Sequence, residues 1–180
     1  MCIRDRPGGA VGGREEIMRL LDPAYAFNGR KPGVTHKGTF NGCSIIAAGA
    51  VAAMKVVRTG KAQKHANEMA ARIREGMKSV LERHQIAGTA YGDASTFHVF
   101  FGKTDKDGGV GKLDPAQIRG LSKELVRGYQ LGLRNRGVEL MSYMGGVTSL
   151  AHTDKDVEFF LGAFEETLRD LMSTGLIRRA

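Results

Sequence analysis

Residues 36–44 read HKGTFNGCS, and several neighbours in that run could together hold an anion. Gly38 frees a backbone N–H and Thr39 brings a hydroxyl. A helix is predicted to begin shortly afterwards, where unpaired N–H donors and a partial positive charge meet. Phosphate suits such a place, and Lys37 can add charge. The competing reading is local: Thr39 or Asn41 caps the helix that follows, as Thr and Asn commonly do. On the residues alone both readings stand.

Other chemistry finds less support. GGAVGG, residues 8–13, lacks the Gly-Lys-Ser/Thr of a Walker A loop and the strand-to-helix setting of a dinucleotide GxGxxG, so by itself it reads as a flexible connection or tail. Cys2 and Cys43 have no metal-like spacing. None of the five histidines has HExxH spacing or a relative of it. His36 falls in a loop, His65 and His84 on a helix as surface or structural residues, and His98 in a strand between Phe97 and Val99 with its ring satisfied. His152 shapes the turn into the last helix. Cys43 and Ser44 have no local base and acid, which argues against a hydrolase.

The elements that position these residues follow from periodicity. Arg14 to Leu21 is predicted to be a short helix ended by Asp22-Pro23, because proline cannot extend a helix. Residues 24–38 are irregular. CSIIAAGAVAAMKVVRTG then forms a slim helix, apolar nearly all round and therefore expected to lie between layers, with Gly60 as its stop. In the next helix Ala66, Met69, Ala70, Ile73, Met77, Val80 and Leu81 share one face, which predicts a core side and a wet side. GTAYGDASTFHVFFG places Phe97, Val99 and Phe101 at period two and reads as one or two strands. A helix is expected from Asp114-Pro115 to a stop at Gly137, with a short strand at VELM, a loop at SYMGG and an extended run at VTSLA. Thr153 to Asp156 make a capping box for the last helix. The expected organisation is residues 1–6 as a non-native leader, 7–60 as the end of a larger domain, and 61–180 as a small α+β domain.

Bulk properties narrow the class. The chain has 180 residues, a 42% hydrophobic share and a formal net charge of +8. Its longest apolar run, IIAAGAVAAM, falls short of the roughly 18 residues of a membrane span, and no apolar stretch backs the N-terminal charges, so the default location is cytoplasmic. Lys and Arg are scattered along helices that also carry Glu. With no Trp and four Tyr, the chain offers poor stacking platforms for nucleic acid.

Taken in order, PGGAVGGREEIM, HKGTFNGCSIIAAGAVAAMKVV and GVTSLAHTDKDVEFFLGAFEETL resemble the C-terminal part of class III aminotransferases, on the side of glutamate-1-semialdehyde aminomutase and its relatives. The resemblance implies an α/β chain from the aspartate-aminotransferase-like, fold type I superfold. It also implies pyridoxal 5'-phosphate as cofactor, a small amino or keto substrate, and a homodimer with active sites at the subunit interface. The family's lysine, which forms a Schiff base with the cofactor, comes a few residues before the Pro-Gly-Gly loop. Here MCIRDR stands there, resembling a translated adaptor scar. Lys31, Lys37 and Lys55 do not match that position, so no catalytic residue is assigned and the lysine is expected outside this chain. Gly38 and Thr39 match a Gly-Thr pair that reaches the cofactor phosphate of the neighbouring subunit, which favours the ligand reading of Thr39. Where the family often continues Gly-Asn-Pro, this chain has Gly42-Cys43-Ser44. The expected activity is amino-group transfer or intramolecular amino migration. The alternative is a non-catalytic dimerisation or interaction module derived from the same fold.

Overall fold

The computed structural model describes residues 11–22, 24, 38–105, 108–141 and 143–179. Residues 1–6, most of the irregular passage, Lys37 and His36 lie outside these. Contacts divide the chain into two units, Met1–Arg58 and Thr59–Ala180.

In the first unit the predicted short helix takes two forms, α1 (Glu15–Met18) and a 3-10 turn over Arg19–Leu21, after which Asp22 is extended. The second helix, α2 (Ser44–Val57), contains no buried residue. Ile45 is 61% exposed and Met54 59%, although the all-round apolar pattern predicts burial. Such a helix needs packing on more than one side. The other described element of this unit, the short α1 segment, is too small to supply it.

The second unit carries the core. Gly60, at φ +71°, separates α2 from α3 (Lys61–Arg83) and takes a conformation that glycine adopts at little cost. The buried residues of α3 are Ala66, Met69, Ala70, Ile73, Met77, Val80 and Leu81, the face that periodicity predicts. Strands β1 (Gly88–Tyr91) and β2 (Thr96–Phe101) pair antiparallel, with Ala90 opposite Val99 and Tyr91 opposite His98. A third strand, β3 (Gly145–Val147), pairs antiparallel with β2, giving the order β1-β2-β3. Phe97, Val99 and Phe101 point into a cluster shared with α3, α5 (Lys123–Arg134) and α6 (Asp154–Ser173). Within it Phe97 meets Phe160 at 5.1 Å, and Tyr129 meets Phe101 at 5.9 Å and Phe164 at 6.1 Å. The result is α3, α5 and α6 packed on one face of a small sheet.

Two expectations change. The helix expected from Pro115 to Gly137 is two helices, α4 (Pro115–Arg119) and α5, with Gly120, Leu121 and Ser122 between them. Asp114 caps α4 as predicted, in a capping box with Gln117. Ser122 starts the second helix afresh by accepting from the Leu125 N–H at 3.2 Å. The strand expected at VELM is absent: Val138 and Leu140 pack on the core without pairing, and the strand forms at Gly145–Val147 instead. The reason is close approach. A Cβ at Gly145 would stand 2.0 Å from the Phe97 carbonyl oxygen, a contact only glycine permits. Thr153 and Asp156 form the predicted box at the start of α6.

Candidate functional site

The anion-site candidate is a turn followed by a helix start. Asn41 N–H donates to the Gly38 carbonyl at 3.0 Å and Cys43 N–H to the Phe40 carbonyl at 3.2 Å, so residues 38–43 fold back on themselves. Gly42, at φ +69°, permits the second bend. A Cβ on Gly38 would come within 2.9 Å of Asn41 Oδ1, so the turn is shaped around a residue without a side chain. Thr39 is exposed at the turn. The N-cap of α2 is Cys43, with no side-chain capping bond, so neither Thr39 nor Asn41 occupies the capping position. Thr39 therefore has no part in capping α2.

The four described histidines are dispersed among structural tasks. His65 Nε2 lies 2.7 Å from the His152 carbonyl oxygen, and His152 Nδ1 accepts from the Ser149 N–H at 3.0 Å, which ties the turn before α6 to α3. His84 Nε2 sits 2.9 Å from Glu165 Oε1, where Arg83 and Arg169 also converge. That hydrogen bond, with the two guanidinium charges, holds the Glu165 carboxyl below its ordinary value even though burial opposes the shift. His98 stacks on Tyr91 with ring centroids 5.4 Å apart, and burial lowers its basicity. Among the described residues no group of three His, Cys, Asp or Glu could hold a metal ion. None of their helices is long and apolar enough to cross a membrane.

One grouping was not foreseen from sequence. Tyr91, His98, Pro115, Ile118, Arg119 and Tyr143 line a cleft of about 460 Å³ within the second unit. It forms because Tyr91 and His98 are register partners on the sheet face turned away from Phe97 and Val99, and α4 stands over that face. Period two in TAY and TFHVFF carries a signal for the Tyr91–His98 pair. Arg119 and Tyr143 reach it only through tertiary folding.

Relatives agree with the sequence resemblance. No family model matches the chain. Over 154 residues it is 30% identical to glutamate-1-semialdehyde 2,1-aminomutase of Akkermansia muciniphila, a match covering 84% of this chain and 33% of the relative. An omega-transaminase from Sphaerobacter thermophilus superposes with a TM-score of 0.69 at 25% identity, covering 89% of this chain and 35% of that one. A transaminase with PLP bound superposes at the same TM-score with 18% identity, covering 91% and 35%, and supports the fold alone. The chain therefore spans about a third of the length of the relatives it matches. Its mixed helix-and-sheet architecture is that of the C-terminal part of fold type I. In sequence and in fold together, this chain is similar to class III aminotransferases, glutamate-1-semialdehyde 2,1-aminomutase among them.

Proposed function

We propose that the chain is the C-terminal part of a pyridoxal-phosphate-dependent aminotransferase or aminomutase acting on a small amino or keto substrate. In this reading the whole protein is a cytoplasmic homodimer, and the lysine that binds the cofactor lies outside these residues. The observation that carries the site assignment is the turn at residues 38–43. Gly38 leaves its backbone approachable where a side chain would strike Asn41, and Thr39 presents a hydroxyl that no helix cap claims. These features fit a phosphate. Gly38 and Thr39 would hold it by a backbone N–H and a hydroxyl donor, and the start of α2 would add its partial positive charge. When bound, pyridoxal phosphate supplies an electron sink for the carbon bearing the amino group. These residues would anchor and orient the phosphate, leaving proton movement to groups elsewhere in the dimer.

The test is to recover the upstream coding region, express the extended protein, and treat it with pyridoxal phosphate followed by borohydride and peptide mapping. Attachment to a lysine upstream of these residues is expected. Attachment at Lys31, Lys37, Lys55 or any other lysine of this chain would overturn the reading. Thr39→Val in the extended protein should weaken retention of the cofactor about tenfold, as expected for losing one hydrogen bond to a charged group.

A non-catalytic interaction module draws support from the exposed apolar side chains of α2, with Phe40 at 62% exposure beside them. The same upstream DNA separates the two readings, since a module needs its own promoter and start at Met1 whereas the enzyme needs an open frame running through a lysine codon.

A further inference from the structure

We propose that the cleft between the sheet and α4 binds a carboxylate joined to a flat apolar body. Every residue it uses lies in the unit Thr59–Ala180.

Three observations converge. Tyr91 and His98 stack on each other, with centroids 5.4 Å apart and an angle of 27° between planes, and line the cleft with aromatic surface, while Pro115 and Ile118 add apolar surface from α4. A flat ring between such surfaces gains both burial and stacking. Arg119 is the cation among the lining residues, and no acidic side chain lines the cleft. The guanidinium forms no ion pair among the described residues, and Asp114, the acid that opens α4, is engaged in capping by accepting from the Ala116 N–H at 2.8 Å. An uncommitted guanidinium offers two parallel N–H donors, the geometry that a carboxylate accepts. Its position is held from the backbone: the Tyr143 hydroxyl donates to the Arg119 carbonyl at 3.2 Å, and Gln130 Nε2 donates to the Tyr143 carbonyl at 2.9 Å, linking the end of α4 to α5. The charge of Arg119 is also felt at the Tyr91 phenol, where it opposes the larger upward effect of burial. Arg119 and the aromatic wall therefore act on the same space.

The probe is phenylacetate, titrated into the full 180-residue chain labelled with ¹⁵N, with phenylacetamide as its uncharged counterpart. Binding in the millimolar range is expected for a ligand this small, with amide shifts centred on residues 91, 98, 118, 119 and 143. Arg119→Gln should weaken phenylacetate about tenfold, and phenylacetamide should bind wild type about tenfold more weakly than phenylacetate does. Arg119→Lys should fall between, keeping charge and losing the fork. Arg134→Gln, an exposed arginine paired with Glu139, should bind like wild type. Inorganic phosphate at matching concentration should not displace the probe, because the apolar wall contributes to recognition. Equal affinity for the Arg119→Gln variant, shifts centred outside the cleft, displacement by phosphate, or absence of binding at about 20 mM would each overturn the proposal. Arg119 is exposed, so its variants should retain the wild-type fold, and unchanged amide shifts of the core residues verify this in the same spectra.

Discussion

Tyr129 shows how a single residue can hold a fold together and still leave a cost inside it. Its ring is fully buried between Phe101 and Phe164, yet its hydroxyl has no hydrogen-bond partner among the described residues, and burial pushes the phenol so far up that it stays protonated. Burying an unsatisfied hydroxyl costs about 1–3 kcal/mol. Tyr129→Phe should therefore stabilise the protein by about 1 kcal/mol, read as a higher urea midpoint at unchanged slope. Glu165 works in the opposite direction. With His84, Arg83 and Arg169 gathered on it, its carboxyl is depressed below 4.5 in the folded state. A depressed acid contributes stability that is fully present above its unfolded value and lost as pH falls through the folded one. Glu165→Gln should thus be less stable than wild type at pH 7 by about 1 kcal/mol, and the gap should close as pH drops below 4.5 in acid-unfolding curves. A gap that persists at low pH would show that packing, rather than charge, sets the effect. Gly145→Ala tests the sheet: the added Cβ would meet the Phe97 carbonyl at 2.0 Å, and a loss of about 3 kcal/mol or more is expected in thermal unfolding.

At the scale of elements, ends matter more than lengths. The interval from Pro115 to Arg134 has a helical apolar rhythm that continues across Gly120 and Leu121, yet the backbone stops and restarts there. Leu121 packs partly against the core, and Ser122 supplies the side-chain acceptor for the new helix. The break also sets α4 apart from α5, so that Pro115, Ile118 and Arg119 can face the sheet instead of continuing the α5 axis. Ser122→Ala should cost about 1 kcal/mol of stability by leaving the Leu125 N–H without its acceptor, measurable as a shifted denaturant midpoint. An unchanged midpoint would mean that water replaces the cap at no cost.

For the whole molecule, the cluster around Met77, Val99, Leu133, Phe164 and Leu168 lies entirely in the unit Thr59–Ala180, whereas α2 has no buried residue. Cooperative unfolding follows a shared core. Residues 59–180 expressed alone should therefore melt in one transition within about 4 °C of the same unit in the full chain, a shift corresponding to less than about 1 kcal/mol, as followed by far-ultraviolet circular dichroism. Loss of cooperativity on removing residues 1–58 would show that the first unit contributes to the core.

What the sequence by itself determined was whatever depends on near neighbours. The core face of α3, the caps at Asp114 and Thr153, the Phe97–Val99–Phe101 stripe and the family motifs all follow from spacings of a few residues, because helix and strand geometry repeats at that range. Tertiary structure decided what depends on residues far apart in the chain. The third strand sits at Gly145–Val147 because another backbone must approach it closely. The apolar pattern of α2 calls for packing on several sides, but no local spacing encodes which surfaces supply it. Arg119 and Tyr143 joined Tyr91 and His98 in one cleft because an α4 that ends early can stand over the sheet.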